Sequence, residues 1–313
     1  MSLSVFIDGG AGTTGLEIAD RLANRPEFSL VSLPDAVRKD LAARREALND
    51  CDIAILCLPD DAARESVALI DNGRTRVIDA STAHRVVSGW VYGFPEISGH
   101  EKVANALRVS NPGCYSTGFI ALIAPLVRAG LLPADWVYTC NAVSGYSGGG
   151  KSMIARFEND TDIAWRGYAL NLGHKHVPEM QQHCALSHPP LFTPAVIPAY
   201  RGMVVEVPLP LAAMKGAGRP AEMREWLANF YGTSPIVRMG NAPEDSELLL
   251  RGSRTPSDWM ELFVFTNADA SQVRLIAMLD NLGKGASGAA VQSLNLMAGL
   301  PETTGLSLAS PCA

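Results

Sequence analysis

One cysteine of the chain stands in a setting that suits a nucleophile. Cys114 follows an Asn-Pro-Gly turn and precedes Tyr-Ser-Thr-Gly, and the next residues show helical spacing from Phe119 as far as Pro125. A thiol in the first turn of a helix lies beside unpaired amides and the positive end of the helix dipole, which stabilise the thiolate. The residues alone leave a second interpretation open, in which Cys114 is a small residue capping a helix, although Ser or Asn caps better.

A short polar segment offers a proton-handling partner for such a thiol. His174 and His176 flank Lys175 before an expected helix start at Pro178, with Glu179 in its first turn. A histidine titrates near neutral pH and suits general acid–base work. A structural role for either histidine stays open, and a histidine-pair metal site is disfavoured because no third ligand lies nearby in sequence.

Composition limits the classes of protein that these residues can serve. The chain has 313 residues, a net charge of −6 and 47% hydrophobic residues, which predicts a globular protein of two domains without a nucleic-acid partner. The six cysteines show no C-x-x-C pair, so neither a zinc site nor a disulfide framework is indicated. No signal peptide and no apolar run of membrane-spanning length is recognisable, which favours a cytoplasmic enzyme with a small-molecule partner.

A glycine-rich turn near the start predicts a dinucleotide site. Strand-like residues 3–7 lead into Asp8-Gly-Gly-Ala-Gly-Thr-Thr-Gly15, and residues 16–22 then show helical spacing. Glycines let the backbone approach a pyrophosphate, and the following helix offers its free amides and dipole. The predicted cofactor-binding residues of this turn are Gly9, Gly10, Gly12, Thr13, Thr14 and Gly15. A glycine turn without a ligand is the alternative.

The residues after the second strand-like run bear on which dinucleotide binds. Pro34 follows that run (28–33), and Asp35 comes only after it, which is late for an acid that binds the ribose of NAD. Arg38 and Lys39 follow and favour a 2′-phosphate, so the predicted cofactor is NADP or NADPH. Alternatively, both side chains belong to a solvated helix face that continues through Arg44 and Arg45.

The spacing of strand-like and helical runs predicts an α/β fold. Runs at 28–33, 52–58 and 76–78 alternate with helical stretches, as in a Rossmann-like doubly wound parallel sheet. Beyond it, β-like runs predominate and indicate a mixed α+β domain with a largely antiparallel sheet. We expect a dinucleotide-binding domain over 1–114, completed by a C-terminal helix within 281–313, and a catalytic, substrate and oligomerisation domain over 115–280.

Several blocks in order resemble one enzyme family. Asn111-Pro-Gly-Cys-Tyr115 and His174-Lys-His-Val-Pro-Glu179 resemble N-acetyl-γ-glutamyl-phosphate reductases, in their short second form, within the aspartate-semialdehyde dehydrogenase superfamily. The resemblance spans nearly the whole chain. It also includes the blocks Asp79-Ala-Ser-Thr-Ala-His-Arg85, Tyr92-Gly-Phe-Pro-Glu96, Ser144-Gly-Tyr-Ser-Gly-Gly-Gly-Lys151, Arg201-Gly202 and Asp280-Asn-Leu-Gly-Lys-Gly285.

The resemblance implies a reaction and roles. Cys114 attacks the γ-acyl phosphate and forms a thioester, which the nicotinamide cofactor reduces to N-acetylglutamate semialdehyde in arginine biosynthesis. By the family's pattern either His174 or His176 is the acid–base, with His174 ranked ahead. The resemblance adds Ser81, Asn281 and Gly283 as cofactor-binding residues. It implies Asn111, Ser144, Gly145, Lys151 and Arg201 as substrate-binding residues. For Lys151 a solvated charge is equally consistent with the sequence.

The family's members commonly assemble as dimers or tetramers, so a homo-oligomer is expected. Two other activities stay open at this point: a reductase of a related acyl phosphate such as aspartyl phosphate, and a dinucleotide-binding redox sensor built on Cys114. A hydrolase using Cys114 and His174 would not need the glycine turn.

Overall fold

The computed structural model describes residues 2–241, 247–253 and 255–308. Cys312 and the last residues of the expected tail helix lie outside that part of the chain. The helices are α1 (Thr13–Leu22), α2 (Leu41–Asp50), α3 (Asp60–Leu69), α4 (Pro95–Ser98), α5 (His100–Asn105), α6 (Cys114–Arg128), α7 (Gly150–Asn159), α8 (Val177–His183), α9 (Pro220–Phe230) and α10 (Gly288–Met297). The strands are β1 (Leu3–Asp8), β2 (Phe28–Val31), β3 (Ile53–Leu56), β4 (Arg76–Asp79), β5 (Val91–Tyr92), β6 (Arg108–Ser110), β7 (Thr139–Gly145), β8 (Arg166–Gly167), β9 (Leu191–Ile197), β10 (Met203–Leu209), β11 (Val237–Met239), β12 (Met260–Thr266) and β13 (Val273–Leu279).

The chain divides into two compact units. The first unit holds residues up to 113 together with 286–306, and the second holds 114–285 with 307 and 308. Among the described residues, no helix is long and apolar enough to cross a membrane.

The first unit is the predicted doubly wound parallel sheet. Its six strands lie in the order β2-β1-β3-β4-β6-β5, and every pair is parallel. Neighbouring residues of β1 point to opposite faces, because side chains alternate along a strand. Val5 packs with Ile18 of α1 and Leu294 of α10, whereas Phe6 packs with Leu48 of α2. The Rossmann-like prediction is therefore confirmed.

The second unit is built on a mixed sheet of seven strands. Their order is β11-β12-β13-β10-β7-β9-β8; four of the pairs are antiparallel, and β11/β12 and β7/β9 are parallel. This agrees with the predicted α+β unit and its largely antiparallel sheet. The helix α6 packs on β10 and β13 and is buried along nearly its whole length.

The helix α6 runs past the proline at which the sequence pattern stopped. Pro125 has no N–H, so a helix that includes it leaves the carbonyl of Ala121 without its usual partner. The hydroxyl of Tyr231 donates to that carbonyl at 2.9 Å, and the amide of Ala129 donates to the carbonyl of Pro125 at 3.1 Å. Tyr231, which follows the end of α9, thus supplies the hydrogen bond that Pro125 cannot, and α6 continues to Arg128.

The C-terminal helix lies within the expected range 281–313 and covers part of it. A π-helical turn spans Gly283–Ser287, α10 ends at Met297, and residues 298–308 are not helical. Gly299 has φ +72°, a conformation that ends helices, and Pro301 follows it. Within the first unit, α10 packs against α1 and α5.

Candidate active site

Cys114 is the first residue of α6, as the turn before it predicts. Its thiol is partly exposed. The amides of the first turn of α6 have no helical partner, and their dipoles favour an anion at this end. Position and exposure therefore suit a reactive thiolate.

An aromatic cluster lies next to Cys114 and holds the predicted acid–base. The ring of His174 contacts Tyr115 at 6.0 Å, Tyr168 at 5.5 Å, His176 at 4.6 Å and Phe192 at 5.0 Å between ring centroids, all edge to face. The hydroxyl of Tyr115 donates to the carbonyl of Ala195 at 2.9 Å. The cluster fixes the imidazole by packing on several sides.

The two histidines differ in their surroundings. The amide of His176 donates to Nδ1 of His174 at 3.1 Å, so the neutral His174 ring carries its proton on Nε2. His176 is buried, and its Nε2 lies 4.0 Å from Oε1 of Glu179. His174 is half-buried with a defined tautomer, whereas His176 faces a carboxylate inside the protein.

Two tyrosines of this cluster were missed by the sequence reasoning. Burial raises the pKa of Tyr115 well above its usual range, and the neighbouring Tyr168 and Cys114 raise it further. Burial likewise raises the pKa of Tyr168 to about 12. Both phenols therefore keep their protons at neutral pH and can donate hydrogen bonds. The adjacency of Tyr115 to Cys114 was a signal in the sequence, whereas nothing there connects Tyr168 to the thiol.

Three of the predicted substrate-binding residues come together at the end of β7. Ser144 is buried and within hydrogen-bonding reach of the Tyr115 hydroxyl. The amide of Gly145 donates to the carbonyl of Gly202 at 2.8 Å, which holds the β7 end against the Arg201-Gly202 turn. Nη1 of Arg201 donates to Oδ2 of Asp280 at 2.8 Å. Lys151 is exposed in the first turn of α7.

The predicted cofactor residue Asn281 holds these segments together. Its Oδ1 accepts from the amide of Gly202 at 2.8 Å, and its Nδ2 donates to Oγ of Ser147 at 2.9 Å. Both ends of the buried amide are therefore bonded to the protein, and Asn281 positions the two turns. Gly283 fits against the backbone of Ser257, where a Cβ would lie 1.8 Å from the carbonyl oxygen.

The first unit contains a cavity of about 550 Å³ beside the glycine turn. Gly9 and Gly10 line it, as do Arg38 and Lys39. The turn accepts only glycine at two places: Gly9 has φ +87°, and a Cβ on Gly15 would lie 2.8 Å from Cα of Gly10. Gly12 caps α1 without a side chain that could occupy the amides of Thr13 and Thr14. Shape and donors therefore fit a dinucleotide phosphate.

Arg38 and Lys39 do not lie on a helix face, because α2 starts only at Leu41. They stand in the turn before it, where Nε of Arg38 pairs with Asp35 at 3.2 Å. Arg44 is buried and Arg45 is exposed. Arg44 and Arg45 therefore do not share one solvated face of α2. Arg38 and Lys39 line the same cavity as the glycine turn.

Ser81 and Asn111 are fixed at the carboxyl ends of β4 and β6. The amide and hydroxyl of Ser81 donate to the Asp79 carboxylate at 2.9 and 2.7 Å, and Nδ1 of His84 lies 2.6 Å from the same carboxylate. Nδ2 of Asn111 donates to the carbonyl of Ala286 at 3.0 Å. Oδ1 of Asn111 is buried with no hydrogen-bond partner among the described residues, so it can accept from a ligand.

Comparisons with known proteins address the family. The "Semialdehyde dehydrogenase, NAD binding domain" model matches residues 34–106, and the "Semialdehyde dehydrogenase, dimerisation domain" model matches residues 114–281. The proteins named N-acetyl-gamma-glutamyl-phosphate reductase from Trichormus variabilis and Brucella ovis are each 48% identical to this chain. The alignments cover 96% of this chain and 98% and 100% of those proteins.

Solved structures share the fold at lower identity. An aspartate semialdehyde dehydrogenase II from Vibrio cholerae superposes with a TM-score of 0.67 at 18% identity, over 95% of this chain and 98% of that one. A probable aspartate-semialdehyde dehydrogenase from Pseudomonas aeruginosa gives 0.63 at 18% identity over the same shares. These likenesses support the architecture of both units.

Proposed function

Because the chain belongs to the semialdehyde dehydrogenase family and is an oxidoreductase, we propose that it reduces N-acetyl-γ-glutamyl phosphate to N-acetylglutamate semialdehyde with NADPH, in arginine biosynthesis in the cytoplasm. The high identity over nearly the whole chain to reductases of that name supports the substrate. The placement of Cys114 at the start of α6, next to Tyr115 whose ring contacts the His174 imidazole, supports the mechanism.

In the first half of the proposed reaction, the Cys114 sulfur attacks the γ-carbonyl carbon. The bond between that carbon and the phosphate oxygen breaks, and a thioester and inorganic phosphate result. Cys114 would react as the thiolate, with its proton released to water, and the Nε2–H of His174 would donate a hydrogen bond to the leaving phosphate oxygen, which takes up a proton from water. The amides at the start of α6 stabilise the oxyanion of the tetrahedral state, and one such donor contributes about 3 kcal/mol.

In the second half, a reduced nicotinamide, when bound, would supply the hydride that reduces the thioester carbon. The resulting hemithioacetal on Cys114 then collapses, its carbon–sulfur bond breaks, and the thiolate is regenerated with the aldehyde as product. The same first-turn amides face the second oxyanion. The protonated phenol of Tyr168 would add a further donor, whereas that of Tyr115 is already bonded to the carbonyl of Ala195.

Residues of the first unit support the proposed binding of the cofactor. The glycine turn and the open first turn of α1 would hold the pyrophosphate, and Arg38 and Lys39 would face a 2′-phosphate. In the second unit, the Arg201 guanidinium, which Asp280 holds in place, would bind the anionic groups of the substrate beside Ser144 and Gly145.

We also propose that the second unit forms a homo-oligomer. The family model matched there is a dimerisation domain, and large apolar side chains, Trp165, Leu170 and Leu172, are exposed around a cavity of about 410 Å³ in this unit. Light scattering should give a mass at least twice that of the 33.3 kDa chain. A 33.3 kDa particle at micromolar concentration would contradict this part of the proposal.

The reaction run backwards tests the activity. Purified protein is mixed with NADP, inorganic phosphate and N-acetylglutamate semialdehyde, and the absorbance of the reduced nicotinamide is followed, with aspartate semialdehyde in a parallel cell. Phosphate-dependent turnover that prefers the acetylated aldehyde is expected. Preference for aspartate semialdehyde would indicate a reductase of the related acyl phosphate. Binding of NADP without turnover of either aldehyde would favour a redox sensor.

Cys114→Ser tests the nucleophile. The substitution removes the thiolate and little volume, so turnover should vanish while NADPH binding and the melting temperature stay at their wild-type values. Near-normal turnover in this variant would refute the thioester mechanism.

A further inference from the structure

A carboxylate lies directly under the glycine turn. Asp8 is the last residue of β1 and precedes Gly9, and its side chain is buried. It lines the same cavity as Gly9 and Gly10. An uncompensated carboxylate at this place would repel the phosphates that the turn and α1 attract. The chain therefore needs a cation to make the turn suitable for an anion.

Arg44 of α2 supplies that cation from inside the protein. Its Nε and Nη2 donate to Oδ2 of Asp8 at 3.2 and 3.1 Å, and Nη2 also donates to Oγ of Ser66 at 2.6 Å. The hydroxyl of Ser66, in α3, donates to the same Asp8 oxygen at 2.8 Å. All three side chains are buried, so water screens this charge pair little.

The guanidinium is held from both sides. Its Nη1 donates to Oε2 of Glu65 at 2.8 Å, and Glu65 is half-exposed. Arg44 thus joins the end of β1 to α2 and α3, and it also lines the cavity beside the glycine turn. Because several bonds fix its plane, it forms a rigid wall of the cavity.

We propose that Arg44 is a positioning residue of the nucleotide site: it neutralises Asp8 beneath the glycine turn and so makes the turn able to hold the cofactor's pyrophosphate. This inference rests on the proposed use of a nicotinamide nucleotide. It assigns Arg44 a role different from that of Arg38 and Lys39. The pyrophosphate is common to NADPH and NADH, so Arg44 acts on the affinity for both cofactors alike.

The test measures dissociation constants for NADPH and NADH by calorimetry, with melting temperatures, for the full chain and its variants. Arg44→Met should weaken both cofactors by about tenfold or more. Asp8→Asn should change either affinity by less than about threefold, because Arg44 keeps Ser66 and Glu65 as partners. The double variant Asp8→Asn/Arg44→Met should recover to within about threefold of Asp8→Asn, since the carboxylate beneath the turn is gone and the remaining one, Glu65, is half-exposed and screened by water. Arg45→Met, an exposed neighbour on α2, is the matched control and should bind as wild type.

The outcomes separate this inference from the proposed function. If the wild-type protein binds neither nucleotide, the proposed function itself fails. If the wild type binds and the double variant is as weak as Arg44→Met, the arginine acts through structure alone and the inference is overturned. Loss of NADPH affinity with NADH affinity retained would also overturn it, because Arg44 would then contact the 2′-phosphate. If Arg44→Met does not fold, Arg44→Lys is the deciding variant. Because lysine keeps the charge, both cofactors should bind within about threefold of their wild-type affinities. A tenfold loss would refute neutralisation of Asp8 as the cause.

Discussion

Replacing Gly285 by alanine tests how closely the site depends on the position of the Cys114 thiol. Gly285 lies in the turn after Asp280, and a Cβ added there would stand 3.0 Å from Cβ of Cys114 and 3.0 Å from the carbonyl oxygen of Asp280. Both distances are shorter than an ordinary contact, which begins at 3.4 Å. The Asp280 carbonyl accepts the amide of Gly285, so the turn has little freedom to retreat. Cys114 must move.

The required displacement sets the expected loss. Relieving the contact takes a shift of about 0.4 Å. A misplacement of 1 Å at a reacting group costs about a hundredfold in rate, so 0.4 Å should lower kcat by about fivefold to tenfold, or about 1 to 1.4 kcal/mol. Overpacking should also lower the free energy of unfolding by about 1 to 3 kcal/mol. NADPH affinity should fall less than kcat, because the glycine turn and the basic pair, which would hold the phosphates of the cofactor, lie in the other unit.

The assay follows phosphate-dependent reduction of NADP with N-acetylglutamate semialdehyde, alongside the rate of Cys114 alkylation by iodoacetamide. Gly73→Ala is the matched control, since no described atom lies within 4 Å of the added Cβ and the residue is exposed. A Gly285→Ala enzyme with wild-type kcat and a lowered melting temperature would refute the reasoning, because the turn would then have absorbed the methyl group. Loss of NADPH affinity equal to the loss in kcat would refute it as well.

Three further variants or reagents test other parts of the site. Arg38→Ala combined with Lys39→Ala should weaken NADPH at least tenfold more than NADH in calorimetry, and equal losses would show that the pair does not read the 2′-phosphate. Asn281→Ala removes the hydrogen bonds to Gly202 and Ser147 and should lower the free energy of unfolding by about 2 kcal/mol in urea; a change under 0.5 kcal/mol would contradict its positioning role. Burial raises the pKa of Cys51 to about 11 and that of Cys57 to about 12. At pH 8, iodoacetamide should therefore label Cys114 first among the five described cysteines, as measured by peptide mass spectrometry. Faster labelling of Cys57 would contradict this prediction.

The sequence predicted most of the first unit because its signals are local. Alternating apolar runs and the glycine turn determine β1 and α1, and the Asn-Pro-Gly turn determines where α6 starts. The range expected for the tail helix, 281–313, is wider than α10, and the apolar, alanine-rich pattern did not indicate the π-helical turn that precedes α10. At Pro125 the sequence pattern ended the helix too early. The hydrogen bond that replaces the missing N–H comes from Tyr231, more than a hundred residues away.

Sequence reasoning singled out candidate site residues where one side chain sufficed, and it missed those whose partners come from distant segments. Cys114 and His174 carry their chemistry in their own side chains. Tyr168 gains its place only from packing against His174, and the ties of Asp280 to Arg201 join residues far apart in the chain. The alternative of a solvated face through Arg44 and Arg45 is wrong for Arg44, which is buried, because adjacent residues of a helix point in different directions.

The chain path has an evolutionary consequence. The second unit begins at Cys114 and returns to the first after Gly285, and an alanine Cβ at that exit would lie 3.5 Å from Cα of Cys114. Within the first unit, the side chain of Asn111 is bonded to the carbonyl of Ala286, so the ends that flank the interruption also adjoin. The second unit is thus an insertion whose entry and exit are neighbours. Because both connections lie together, the insertion can vary in sequence while the strands of the first sheet stay paired, and the candidate nucleophile Cys114 stays at its first residue.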